Sequence, residues 1–196
     1  ENIKEEVGRI VKNGYKEVVL TGIHVASYGK DSGDMSLIDV IESIAEIEGL
    51  ERIRTSSVEP LIITEEFVQR LGAVDKFCPH FHLSLQSGSD SVLSRMNRRY
   101  TSQEYREAVN TIRRTFPYAA ITTDVIVGFP EETDQEFEQT YEFLKELKLY
   151  ETHIFKYSPR NGTKAAEMPD QVDPSVKNSR SECLIKLNEK NKKDFE

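Results

Sequence analysis

The stretch Phe81-His82-Leu83-Ser84-Leu85-Gln86 alternates apolar and polar side chains with period two, the signature of a strand. Phe81, Leu83 and Leu85 share one face; His82, Ser84 and Gln86 share the other. On a strand covered on both faces, such a polar row lines a barrel lumen or ligand cleft; on an edge strand it is simply a wet side. The turn Ser87-Gly88-Ser89-Asp90 follows, with Ser89 placed to cap a helix. Four other strand ends carry comparable groups: Gly22 and His24, Ser57 and Glu59, Gly128 with Phe129 and Pro130, and Tyr157 and Ser158. Glycine there lets a ligand approach the backbone, whose N–H groups can hold a carboxylate or phosphate. Gly128-Phe-Pro-Glu-Glu132 lacks the glycine and lysine spacing of the phosphate-binding fingerprints. Arg95-Met-Asn-Arg-Arg-Tyr100 is a basic patch. It is either a solvated helix end or an anion site in which Arg98 or Arg99 meets a carboxylate or a phosphate.

Histidine and cysteine narrow the chemistry. His80-Phe81-His82 is a His-x-His pair of the kind used by metal-dependent barrel hydrolases, but here it precedes the apolar run, at the wrong end of its strand. A local or supporting role suits both residues better, and His24 and His153 suit structural roles equally well. The two cysteines, Cys78 and Cys183, lie far apart and form no Cys-x-x-Cys pair, so the sequence holds no self-contained zinc or iron–sulfur motif.

The elements that must position these groups follow a βα rhythm. Ile3, Val7, Ile10 and Val11 recur at helical spacing before Asn13-Gly14, so a helix comes first. Strands are expected at 17–21, 52–57, 81–86, 120–128 and 152–157. Their starts lie about 30 to 40 residues apart, the repeat of a parallel sheet. Ser36 and Thr64 open helices, and Thr101-Ser-Gln-Glu104 and Thr133-Asp-Gln-Glu136 are capping boxes. Pro174 starts a final helix rich in Lys and Glu, weakly amphipathic towards its end and able to project from the domain. No linker or low-complexity tract interrupts 1–196, so a single α/β domain is expected. It is either an open doubly wound sheet or a parallel-stranded partial β/α barrel that lacks its first strand. In both, ligands bind at the carboxyl ends of the strands.

At 196 residues the chain is long enough for a substantial core. A formal net charge of −8 argues against strong nucleic-acid binding by this stretch alone. No apolar run approaches the roughly 20 residues needed to span a membrane, and no signal-peptide pattern opens the chain, so a cytoplasmic protein is expected.

Several stretches together resemble the radical S-adenosylmethionine methylthiotransferases. They are Leu20-Thr-Gly-Ile-His-Val-Ala-Ser-Tyr-Gly29, Arg52-Ile-Arg-Thr-Ser-Ser-Val-Glu-Pro60, His82-Leu-Ser-Leu-Gln-Ser-Gly-Ser89, Met96-Asn-Arg-Arg-Tyr-Thr101, Thr123-Asp-Val-Ile-Val-Gly-Phe-Pro-Glu-Glu-Thr133 and Phe155-Lys-Tyr-Ser-Pro-Arg-Asn-Gly-Thr163. Thr-Gly-Ile-His and Ser-Ser-Val-Glu-Pro are most similar to the branch acting on N6-threonylcarbamoyladenosine in tRNA. The resemblance implies a partial β/α barrel, S-adenosylmethionine and [4Fe-4S] clusters as cofactors, and tRNA as partner. It implies that Gly22 and His24 lie near the methionine amino group, and that Ser57 and Glu59 line the pocket. Gln86, Ser87 and Gly88 would contact the ribose side, and Arg98 the methionine carboxylate. Gly128, Phe129 and Pro130 would pack near the adenine, with Tyr157 and Ser158 closing the far side. None is assigned as a catalyst, and no metal ligand is assigned. The family's Cys-x3-Cys-x2-Cys loop is absent from this sequence and would precede Glu1; the RNA-binding barrel would follow Glu196. The chain is therefore expected to be an inactive core of a larger enzyme. The alternative is a non-catalytic barrel remnant that binds a nucleotide or a partner.

Overall fold

Short-range capping sets the helix starts. Glu104 N–H donates to Thr101 Oγ1 at 3.2 Å and Thr101 N–H returns a bond to Glu104 at 2.7 Å. Thr133 and Glu136 exchange the same pair at 3.2 and 2.8 Å. Thr64 Oγ1 accepts from Phe67 N–H, and Ser36 N–H donates to Asp39. Each satisfies donors that a helix leaves open at its first turn, where the sequence placed them. Ser89 also stands at a helix start, but its hydroxyl donates to Gln139 at 2.7 Å instead of capping.

The computed structural model describes residues 3–22, 28 and 35–195. In chain order the elements are α1 (Ile3–Lys12), β1 (Glu17–Leu20), α2 (Leu37–Ala45), β2 (Arg52–Thr55), α3 (Glu65–Gly72) and β3 (His80–His82). There follow α4 (Asp90–Arg95), α5 (Ser102–Thr115), β4 (Ala120–Val127), α6 (Asp134–Leu147), β5 (Glu151–Lys156), α7 (Lys164–Glu167) and α8 (Pro174–Phe195). The protein is an α/β fold with parallel strand pairing, as the βα repeat predicts. Among the described residues no helix is long and apolar enough to cross a membrane.

Two compact units make up the chain. One comprises Glu1–His82 and Asn110–Ala119. In it β1 pairs parallel with β2, from Glu17 opposite Arg52 to Leu20 opposite Thr55. Ile41, Ile44, Ile53, Val68 and Leu71 form its core. Phe77, Phe81 and Phe116 stack there with centroids 5.5 to 6.2 Å apart. The other unit comprises Leu83–Val109 and Ala120–Glu196. In it β4 and β5 pair parallel from Thr122 opposite Glu151 to Val127 opposite Lys156.

The expected strand 81–86 departs from regularity part-way. Ladder geometry is confined to His80–His82, and Leu83–Gln86 follows β4 by a different device. Leu83 N–H bonds to Thr122 C=O, Gln86 N–H to Asp124 C=O, and Ile126 N–H to Gln86 C=O, all at 2.8 to 2.9 Å. Between these, Thr123 Oγ1 accepts from Leu85 N–H at 3.1 Å and donates to Leu83 C=O at 2.5 Å. One buried hydroxyl thus does the work of two backbone groups. Leu83 and Leu85 are fully buried, and their carbonyls also accept from the hydroxyls of Tyr105 and Tyr100. Thr123→Val keeps the shape but strands a buried N–H, so it is expected to cost about 1–3 kcal/mol. Urea unfolding measures this; an unchanged midpoint would show that the hydroxyl is dispensable.

The final helix does not project. Leu184, Leu187, Lys177, Arg180 and Asn191 of α8 are buried. Asn188 Oδ1 accepts from Thr152 N–H at 2.7 Å, and Phe195 stacks on Tyr150 with centroids 4.9 Å apart. The helix docks through polar side chains that meet backbone groups of β5 and α6, so no clean apolar stripe announces it.

Candidate functional site

Side chains alternate across a parallel sheet, so Asp124 and Ile126 share one face of β4, opposite His153 and Phe155 of β5. His153 Nδ1 lies 3.1 Å from Asp124 Oδ1. At the carboxyl ends of these strands is a cavity of about 530 Å³. Asp124, Ile126 and Phe155 of the two strands line it together with Gln86, with Tyr157 and Ser158 beyond β5, and with the cations Lys156 and Arg160. The volume is that of a small-molecule site. Two features single it out. Gln86 has φ +71°, a backbone state that non-glycine residues rarely adopt, held by the bonds to Asp124 and Ile126. The Tyr157 hydroxyl is buried with no hydrogen-bond partner among the described residues.

The sequence-expected residues fall into distinct groups. Gln86, Tyr157 and Ser158 come together in the cavity. Gly128, Phe129 and Pro130 are buried but do not line it; Phe129 packs edge-on against the Tyr157 ring, with centroids 5.3 Å apart. Gly128 has φ +70° and donates its N–H to Glu132. Ser87 and Gly88 face α6, both bonding Thr140 Oγ1 at 3.1 Å. Arg98 and Arg99 are exposed, and neither lines the cavity. Their neighbour Arg95 is engaged by Glu136 through two bonds of 2.9 Å, which with helix-cap bonds pull the Glu136 carboxyl down to about 2. Gly22, Ser57 and Glu59 belong to the first unit, where they are exposed just beyond β1 and β2. His24 lies outside the described residues.

Sequence reasoning missed Asp124 and the cationic pair of the lining. Period-two alternation along 120–127 could have found Asp124, which stands two residues from Ile126 on the same face.

The sequence profile of the Radical SAM superfamily matches residues 1–144. The chain belongs to that superfamily. Across its full length it is 44% identical to threonylcarbamoyladenosine tRNA methylthiotransferase MtaB of Bacillus subtilis, covering 44% of that protein. Over 97% of its length it is 43% identical to tRNA-2-methylthio-N(6)-dimethylallyladenosine synthase of Pelotomaculum thermopropionicum, covering 43% of it. The chain thus spans less than half the length of these relatives. Among solved structures it resembles coproporphyrinogen III oxidase HemN of Escherichia coli, with TM-score 0.72 and 16% identity over 95% of this chain and 45% of that one. Methylornithine synthase PylB gives TM-score 0.61 and 16% identity over 97% and 52%. These structures share the fold, and the methylthiotransferases share the sequence.

The superfamily implies S-adenosylmethionine and an iron–sulfur cluster, and the residues present suit them unequally. Apolar and aromatic side chains, the Gln86 amide, a carboxylate, two cations and a tyrosine whose buried hydroxyl has no partner among the described residues suit an adenosine-bearing amino acid. The chain's two cysteines do not supply the thiolate set of a cluster, and neither lines the cavity.

Proposed function

We propose that this chain is the S-adenosylmethionine-binding core of a tRNA methylthiotransferase acting on N6-threonylcarbamoyladenosine. The cavity at the ends of β4 and β5 carries the reading, because it unites Gln86, Tyr157 and Ser158 with a complementary set of charges. When bound, the cofactor supplies hydrogen-abstracting and methyl-donating chemistry. The chain's residues bind and orient it. Ile126 and Phe155 offer the purine an apolar surface, and the Gln86 amide offers ribose hydroxyls a donor and an acceptor. Asp124 suits the ammonium, and Arg160 with Lys156 suits the carboxylate that the sequence assigned to Arg98. Gly22, Ser57 and Glu59 stand at the strand ends of the first unit and are given no contact with this cavity.

Identities of 44% and 43% to the two relatives do not separate their substrates. The choice of the threonylcarbamoyl branch rests on Thr21-Gly-Ile-His24 and Ser56-Ser-Val-Glu-Pro60. The whole enzyme would bind tRNA through regions outside this chain and hold its clusters with cysteines this chain does not have. The chain alone is therefore expected to be inactive and to reconstitute no cluster, while still binding cofactor.

Calorimetric titration of the purified chain with S-adenosylmethionine should show one site. Gln86→Ala should weaken it roughly two- to tenfold, the worth of a neutral hydrogen bond. Absence of binding, or indifference to Gln86, would sink the reading. For the substrate branch, the whole enzyme should methylthiolate tRNA bearing threonylcarbamoyladenosine and spare tRNA bearing dimethylallyladenosine.

A further inference from the structure

The cavity wall beyond β5 is braced by a helix that lies outside the superfamily profile, which ends at residue 144. Lys177, in the first turn of α8, is only 8% exposed. Among the described residues no carboxylate pairs with it. Its Nζ instead donates to the Tyr157 carbonyl at 3.0 Å and stands 5.2 Å from the centroid of the Tyr157 ring. An ammonium is costly to bury unless it finds acceptors and a counter to its charge, and here Tyr157 supplies both a carbonyl acceptor and a ring face.

The loop after β4 is shaped around the same side chain. A Cβ on Gly128 would lie 2.4 Å from Lys177 Cγ and 3.1 Å from its Cδ and Cε. The glycine thus serves the passage of the lysine stem as well as its own φ of +70°. The next residue, Phe129, sets its ring edge against Tyr157. Tyr157 is therefore fixed at three places: its N–H bonds Val127 C=O at 2.9 Å, its ring meets Phe129, and its carbonyl and ring face meet Lys177. Tyr157 and the adjoining Ser158 line the cavity, and the Tyr157 hydroxyl is buried.

We propose that Lys177 is a positioning residue for the cavity, acting through Tyr157 so that affinity for an adenosine-bearing ligand depends on α8. This rests on the cofactor reading of the cavity. It predicts that removing the ammonium while keeping the stem loosens the wall without dismantling the fold.

The test uses the purified chain and S-adenosylmethionine itself. Lys177→Met keeps an apolar stem, and Lys177→Arg restores a cation. Lys177→Met should remain folded by circular dichroism, shift the ring signals of Tyr157 in NMR spectra (assigned with Tyr157→Phe) and bind about five- to tenfold more weakly. Lys177→Arg should recover most of the affinity, which a role in packing volume alone would not produce. Gly128→Ala approaches the clamp from the other side and should weaken binding in the presence of Lys177. In a Lys177→Ala background, where the stem no longer fills the space, it should weaken binding less, leaving only the strain of an alanine at φ +70°. Should Lys177→Met fail to fold, Lys177→Arg and the Gly128→Ala pair decide the question. Equal binding by the parent chain and Lys177→Met, with Tyr157 signals unmoved, overturns the inference and leaves the cofactor reading intact. Absence of binding by the parent chain itself overturns both.

Discussion

Arg180→Met is expected to destabilise the chain by about 3–5 kcal/mol at neutral pH, the cost of leaving a buried charge without its partner. Arg180 Nη1 donates to Glu132 Oε1 at 2.7 Å and to the Glu132 carbonyl at 3.1 Å. The two side chains are 6% and 3% exposed. The guanidinium also lies 5.4 Å from the centroid of the Phe137 ring. A second arm reaches Asp134 at 2.7 Å, but that carboxylate is 98% exposed, so this pair contributes little. Glu132 in turn accepts the Gly128 N–H at 3.0 Å, which ties the pair to the loop behind the cavity.

The loss should depend on pH in a definite direction. Burial pushes the Glu132 carboxyl above the usual carboxylate range, while the Gly128 N–H and Arg180 pull it back. A folded pKa above the unfolded one means that the native state binds the extra proton, so stability falls as pH rises between the two values. Without Arg180 one restraining influence is gone, the folded pKa rises further and the window widens. Arg180→Met should therefore cost less at pH 5 than at pH 7 when followed by urea unfolding. Arg180→Met with Glu132→Gln should recover part of the loss at pH 7. A loss of equal size at both pH values would assign it to packing against Phe137 and not to the charge.

The parts of this protein that are local in sequence were legible there. Both capping boxes, the strands of the βα repeat and the burial of Leu83 and Leu85 follow from spacing alone, because each depends on neighbours within a few residues. The loop ends were legible too, and three of the expected residues, Gln86, Tyr157 and Ser158, do share a cavity. What escaped depends on partners far away in the chain. Lys177 and Arg180 look like ordinary solvated positions in a charged helix, and only the tertiary fold gives them Tyr157 and Glu132. The break at 83–86 escaped because its cause, the Thr123 hydroxyl, stands some 40 residues further on. Gly128 reads in the sequence as a glycine that admits a ligand, and its close neighbour proves to be a lysine stem.

Gly88 poses the same choice between ligand contact and packing, and Gly88→Ala decides it. A Cβ there would lie 2.8 Å from Thr140 Cα, 2.9 Å from Phe143 Cβ and 3.1 Å from Phe143 Cδ1. The first neighbour is helix backbone and the second is fixed to it, so neither can rotate aside. Either α6 or the Ser87–Ser89 turn must move, and the bonds from Ser87 and Gly88 to Thr140 Oγ1 go with it. Overpacking of this kind costs about 1–3 kcal/mol. The turn begins right after Gln86, whose strained backbone is pinned on both sides to β4. A shift of the turn should therefore reach the cavity as well. Gly88→Ala is expected to lower the urea midpoint and to weaken S-adenosylmethionine binding together. A Gly88→Ala chain with parental stability and weakened binding would place Gly88 against the ligand, as the sequence resemblance implies, and would end the packing account.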